Sequence, residues 1–343
     1  MNKYGYRFSF GPWNIHEGAD PFGPPVRPTV PFARKLEALK ALGFDAMQFH
    51  DDDAVPDLDA KTPAQMAAEA RAMGRLLADH GLVAEFVAPR LWEHPLTVDG
   101  AFTANEARAR AYALERAKKC ADIGREMGTH LMVLWLAREG TYMREAKDAV
   151  VATHRLLEAI NALLAYDPEL RIAIEPKPNE PMDIAYIPTI GHALTLVFRS
   201  DDPNRVGTLV ESAHAILAGL DPADEMAFAL AFDRLWSVHL NDQNGLKFDQ
   251  DRSFGSIDLR RAFNQVRVLD ENRYWEKGIV GLDVKAIRTQ PAELATKHLR
   301  NSLATFLRLV EVVRSLDRAR IEELRAARDY EELDWLILSA LWG

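Results

Sequence analysis

The sequence predicts an α/β chain of the (β/α)8, or TIM-barrel, type, and three observations predict it. Short β-rich runs alternate with longer helical patterns roughly eight times between residues 6 and 313. Acids, histidines and lysines gather at the C-terminal ends of the later strand candidates, the end at which parallel α/β barrels carry their chemistry. No linker-like or low-complexity stretch divides the chain, and 343 residues suit one barrel with additions. Residues 1–315 are therefore expected to form the barrel and 316–343 a short C-terminal helical tail.

Each element has a local reason. A strand at 6–10 runs into a Pro/Gly-rich loop at 11–31. Helical spacing over 32–42 stops at Gly43, a natural C-cap. A strand at 46–49 enters the acidic run His50-Asp51-Asp52-Asp53. Thr62-Pro63 reads as an N-cap with proline at the first helical position, opening a helix over 62–80. Strands at 82–87 and 130–135 flank a long helix at 103–127, and a helix at 144–165 leads to a strand at 170–175. That strand ends in Ile174-Glu175-Pro176-Lys177-Pro178-Asn179-Glu180-Pro181. Proline cannot donate to a ladder, so the strand hands over there to a rigid loop. Helix 192–198, strand 206–211, helix 222–232 and strand 235–241 follow. Helix 257–268, strand 280–284 and helix 292–313 complete the alternation. The charged tail ends in the apolar Leu336-Ile337-Leu338, which suits packing against a neighbouring subunit or back onto its own barrel.

Composition narrows the function. A net charge of −9 argues against nucleic-acid binding, which needs a basic face, while leaving room for an acidic cation site. With 48% hydrophobic and 27% charged residues, the chain has material for a sizeable core. The single cysteine, Cys120, permits no internal disulfide and sits in a helical pattern, where a small buried hydrophobe is expected. The N-terminus lacks an apolar signal region and no apolar run reaches membrane-spanning length, so a cytoplasmic protein without a membrane partner is expected.

Strand side chains alternate between faces, which groups the polar residues. Glu175 and Lys177 share a face opposite Ile172 and Ile174. Glu211 ends its strand, with His214 three residues on. Ser237, His239 and Asn241 share one face, as do Gly281, Asp283 and Lys285, and Asp249 and Asp251 lie two apart in the loop between those strands. If the barrel closes, these groups meet at one mouth. Several carboxylates in a dry cavity demand neutralisation, and hard divalent cations are the natural partners.

These residues also carry a resemblance to the xylose isomerase family, in particular its shorter, class I members. The matching stretches are Phe49-His50-Asp51-Asp52-Asp53, Asp99-Gly100-Ala101-Phe102-Thr103, Ala173 to Pro181, Pro188 to Ala193, and Gln243 to Asp251. The family is a metal-dependent TIM barrel interconverting aldoses and ketoses, so the resemblance implies two divalent ions (Mg2+, Mn2+ or Co2+), a sugar substrate and a homodimer or homotetramer. It implies that Glu175, Glu211 and Asp283 hold one ion, and that Glu211 bridges to a second held with His214, Asp249 and Asp251. His50, oriented by Asp53, would assist ring opening, and Lys177 would polarise the carbonyl at C1. Trp13 and Trp135 would form dry walls for a hydride shift, and Phe22 would reach a neighbouring subunit's pocket.

The departures bear on the substrate. His239 stands where xylose isomerases place a fourth carboxylate, which resembles the ligand sets of rhamnose isomerases and ketose 3-epimerases and shifts preference towards Mn2+ or Co2+. Ala88 replaces a threonine, Leu209 an asparagine, His16 a tryptophan, Met182 an arginine and Trp92 a phenylalanine, so the pocket loses hydrogen-bonding groups. The expected activity is a metal-dependent aldose–ketose isomerase working by hydride transfer. Its rivals are an epimerase or modified-sugar isomerase working by proton transfer, and a non-catalytic sugar binder.

Overall fold

A computed structural model describes residues 2–343. Among them, eight parallel strands close a barrel: β1 (Phe8–Phe10), β2 (Ala46–His50), β3 (Val83–Ala88), β4 (Leu131–Trp135), β5 (Arg171–Glu175), β6 (Val206–Glu211), β7 (Leu235–Leu240) and β8 (Val280–Leu282). The seam closes where Phe8 pairs with Val280 and Ser9 with Gly281. The crossover helices are α1 (Phe32–Leu42), α2 (Pro63–Asp79), α3 (Ala107–Met127), α4 (Ala149–Tyr166), α5 (Ile190–Arg199), α6 (Pro222–Ala231), α7 (Leu259–Glu271) and α8 (Lys297–Ser315). Gly43 and Gly128 end α1 and α3 in the left-handed conformation, at φ 87° and 89°. Thr62 caps α2 in a reciprocal box with Gln65.

Alternation sorts the strand residues between two cores. Phe8, Phe10, Phe49, Ile172, Ile174 and Val238 belong to the large apolar layer under the helices. The interior is polar at its base, where Gln48 Nε2 donates to Ser9 Oγ at 3.0 Å and Ser237 Oγ donates to Glu85 Oε1 at 2.8 Å. Burial pushes the Glu85 carboxyl up, despite these donors. Above this base lies a small apolar layer of Phe86, Ala88, Val133, Ala173 and Leu209. The register between β2 and β3 shifts between Met47 and Phe49, giving β3 one extra residue, so that Glu85 and Phe86 both serve the interior.

Several boundaries differ from the periodicity, each for a local reason. The helix expected from residue 103 begins at Ala107; the residues before it form a turn in which the backbone N–H groups of Phe102 and Thr103 donate to the buried Glu139 at 2.7 and 2.9 Å. The helix expected from 257 begins at Leu259, since Asp258 in extended conformation is its N-cap, its carboxylate accepting the Arg261 N–H at 2.9 Å. Residues 292–294 form a separate 3-10 turn before α8. Two short helices, Asp51–Ala54 and Ser212–Leu217, and a small ribbon pairing Gly140–Thr141 with Ile184–Ala185 have no periodic signature.

The tail forms α9 (Arg318–Ala327) and α10 (Tyr330–Trp342). Ile337 is buried in the main core, with Leu336, Ala340 and Leu341 packed against it, so this face of the tail folds back on its own barrel. Trp335 and Trp342 point away, their rings 5.4 Å apart. Cys120 is buried, as its pattern suggested. No helix of the described residues is long and apolar enough to cross a membrane.

His298 on α8 makes the fold acid-sensitive. Its Nε2 lies 2.9 Å from the Asn14 carbonyl, and burial pushes the imidazole down from the usual 6.5 to about 4. Between those values the unfolded chain binds a proton that the folded chain excludes. Stability is therefore full above about pH 6.5 and is lost as pH falls through about 4, by about 3 kcal/mol at this site. His298→Gln should flatten this part of the stability–pH curve in urea unfolding, and an unaltered slope would place the acid sensitivity elsewhere.

Candidate metal centre

The β5, β6, β7 and β8 ends converge. Glu175 and Glu211 are the last residues of β5 and β6, His239 lies one before the end of β7, and Asp283 follows β8 directly. His214 comes from the helix Ser212–Leu217 that turns straight off β6. Three groups of donor atoms each lie within 4.8 Å of one another: Glu175, Glu211 and His214; Glu211, His239 and Asp283; Glu211, Asp249 and Asp251. Glu211 is common to all three.

Supporting residues fix these groups. Trp13 Nε1 and Asn14 Nδ2 donate to Asp283 Oδ1 at 2.9 and 3.1 Å. Asn241 Nδ2 donates to Glu211 Oε1 at 2.9 Å and to Asp251 Oδ1 at 3.1 Å. His214 Nε2 lies 3.1 Å from Asp249 Oδ2, and Lys177 Nζ donates to the same oxygen at 2.9 Å. Lys285 donates to Asp251. Asp251 and Glu180 hold left-handed backbone at φ 48° and 62°.

Electrostatics push these groups apart. Burial and then the Asp249 charge drive the Glu211 carboxyl well above the usual range. Burial and Asp249 raise Asp251 to about 8. Burial alone would raise Glu175 too, but His239 outweighs it and holds the acid at about 2. Burial would lower Lys177, yet Asp249 and Glu180 keep it charged above its ordinary value. Both ring nitrogens of His239, His214 Nδ1 and Asp249 Oδ1 are buried without a hydrogen-bond partner among the described residues. Crowded carboxylates and orphaned imidazole nitrogens are the donor chemistry that divalent cations satisfy, so these residues fit such ions.

The centre sits in a cavity of about 680 Å3 that His50, Trp13, Trp92, Trp135, Lys177 and Lys285 also line. Trp13 stacks on His50 with ring centroids 4.3 Å apart, and Trp92 meets Trp135 edge-on at 4.4 Å. Lys177 Nζ lies 5.1 Å from the Trp135 ring centre. Asp53 stands behind His50, accepting its backbone N–H at 2.9 Å. Ala88 opens onto the cavity from the same apolar layer that buries Leu209. Phe22 does not line the cavity of its own chain; it is 83% exposed at the rim, its ring 5.6 Å from Phe248. The run Asp51–Asp53 is no solvated charge cluster: Asp51 is fully buried and gripped by Arg116 through two contacts of 2.8 Å.

Sequence reasoning missed Asn14, Arg90 and Glu180 as members of the site. Asn14 and Glu180 adjoin Trp13 and the proline-rich strand end, and that adjacency was the available signal. Arg90 carried none beyond its place after β3.

A family model described as "Xylose isomerase-like TIM barrel" matches residues 36–306. Among solved structures, D-psicose 3-epimerase with D-tagatose from Clostridium cellulolyticum H10 is 12% identical, with a TM-score of 0.61 over 90% of this chain and 99% of that one. A D-psicose 3-epimerase in the presence of D-fructose is 13% identical, with a TM-score of 0.65 over 89% and 99%. A xylose isomerase domain protein from Alicyclobacillus acidocaldarius subsp. acidocaldarius is 17% identical, with a TM-score of 0.59 over 89% and 99%. At these identities the structural likeness shows the fold.

Proposed function

We propose that this chain, which belongs to the xylose isomerase-like TIM-barrel family, is a divalent-cation-dependent sugar isomerase that interconverts an aldose and its ketose. The observation that carries this reading is Glu211, shared by three overlapping donor groups beside a charged Lys177. Glu211 with Glu175, His239 and Asp283 would hold one ion, and Glu211 with His214, Asp249 and Asp251 a second, Glu175 also lying within reach of His214. Bound there, the ions would act as Lewis acids on the oxygens of an open-chain sugar. Lys177 donates a hydrogen bond to the carbonyl oxygen at C1, where negative charge develops as hydrogen moves between C1 and C2. Trp13, Trp92 and Trp135 cover the apolar face of the sugar and exclude water, the condition for moving that hydrogen as hydride. His50 faces the ring oxygen of the closed sugar, and Lys285 holds Asp251 in place.

His239 favours a second reading, epimerisation or isomerisation through proton transfer, since a histidine at this strand end resembles the ligand sets of ketose 3-epimerases. Turnover in D2O with Mn2+ separates the two. Hydride transfer leaves the migrating hydrogen undiluted, whereas deprotonation brings one deuterium into the product. Mass spectrometry showing a full deuterium equivalent in the first product formed would replace the isomerase mechanism by the second. No turnover of pentoses, hexoses or deoxy sugars with Mg2+, Mn2+ or Co2+ would remove both.

A further inference from the structure

We propose that Arg90 is a positioning residue that fixes His50 as its Nε2–H tautomer, so that the imidazole offers the cavity a hydrogen-bond donor and not a base. Arg90 Nη2 lies 2.8 Å from His50 Nδ1. A guanidinium has only donors and stays protonated, so at that distance Nδ1 must accept, and the ring proton of the neutral imidazole must sit on Nε2.

The usual arrangement is the reverse: a carboxylate takes the Nδ1 proton and leaves Nε2 as the acceptor. The carboxylate is present here, with Asp53 Oδ2 3.2 Å from Nδ1. That oxygen, however, already accepts the His50 backbone N–H at 2.9 Å. A proton on Nδ1 would point at the guanidinium across the shorter of the two contacts. A doubly protonated ring would add a second cation against the first.

Arg90 cannot easily turn aside. Its Nε donates to Asp52 Oδ1 at 2.8 Å, its Nη1 to Glu93 Oε1 at 3.2 Å, and its backbone N–H to Asp51 Oδ1 at 3.2 Å. Asp51 is itself held by the buried Arg116. The chain Arg116, Asp51 and Asp52, Arg90, His50 thus runs from α3 to the cavity. Trp13 and Trp92 clamp the imidazole on its face and edge, 4.3 and 5.1 Å away. Nε2, across the ring from Nδ1, has no partner among the described residues and is not sealed from the cavity.

The ligand atom facing Nε2 is therefore an acceptor oxygen. That it belongs to a sugar rests on the isomerase reading, but the tautomer does not, and the two fail separately. Two-bond 1H–15N correlation spectra of 15N-histidine-labelled protein, at about pH 8 and above the usual imidazole range, report which nitrogen carries the proton. The His50 signals are assigned by their loss in His50→Gln. The wild type should show a protonated Nε2 and a bare Nδ1. Arg90→Met should exchange the two, because Nδ1 can then donate to Asp53. Arg90→Lys, which keeps a cationic donor, should hold the wild-type pattern. Nδ1–H or a doubly protonated ring in the wild type overturns the proposal even if Arg90→Met fails to fold, as does an unchanged tautomer in a folded Arg90→Met protein.

Discussion

Glu211→Gln should sharply lower turnover and cation-induced stabilisation together, while the barrel stays folded. The expectation comes from the position of Glu211 in all three donor groups, so one substitution weakens every candidate ligand set. In chelator the variant should unfold at the same temperature as the parent or higher. Burial, Asp249, Asp283 and Glu175 all disfavour the ionised Glu211, and a neutral amide of the same shape avoids the proton uptake that the carboxyl needs on folding without ions. With Mn2+ at about a hundredfold excess over its Kd, the parent should gain about 2.7 kcal/mol of stability and the variant far less. Turnover should fall on the order of 10³-fold, because Lewis-acid stabilisation of several kcal/mol is lost at about 1.4 kcal/mol per tenfold. Calorimetry with and without Mn2+, beside a steady-state assay, reads both effects. A variant that keeps the parent's full Mn2+ stabilisation would sink the shared-carboxylate reading.

Lys177→Met should leave cation binding intact and lower kcat by about 10²–10³-fold, the usual loss when one donor to a developing oxyanion is removed. Lys177 is buried, lies 2.9 Å from Asp249 and 3.5 Å from Glu180, and packs against Trp135, so methionine keeps most of the stem's packing. Asp249 retains His214 at 3.1 Å. Because the interaction is strongest as charge develops, kcat should fall more than KM changes. Arginine should not rescue, since a planar fork does not fit a slot shaped for a compact ammonium. Titration calorimetry with Mn2+ would establish that the ions still bind. An unchanged kcat would remove Lys177 from the chemistry.

The strand ends were legible because two local signals coincide there. The β-rich run 170–175 stops at prolines, and period-two alternation places Glu175 away from Ile172 and Ile174; the structure buries both isoleucines in the outer core and sets Glu175 in the cavity wall. The same rule put His239 on one face with Ser237 and Asn241. It could not show that Ser237 ties to Glu85 at the base of the barrel while Asn241 steadies Glu211 and Asp251 at its mouth. Helix starts were the weakest expectation. Before Ala107 and Leu259 the chain is pinned in non-helical turns by Glu139 and Asp242, which accept the N–H groups of Thr103 and Ile257 from 36 and 15 positions away. The tail's apolar end fitted two packings, and Ile337 in the main core decides for its own barrel on that face.

By itself, the order of residues determined the alternation of strands and helices, the face each acid occupies and the chemistry those acids favour. These depend on backbone geometry over a few neighbours, where periodicity acts directly. Tertiary structure alone decided that Glu211 serves three donor groups, that Asp51 is gripped by Arg116 and not solvated, and that Arg90 reaches the ring of His50. Those relations join residues up to 72 positions apart, as between Glu211 and Asp283. Closing the barrel brings them within hydrogen-bonding distance, and no short-range pattern encodes that closure.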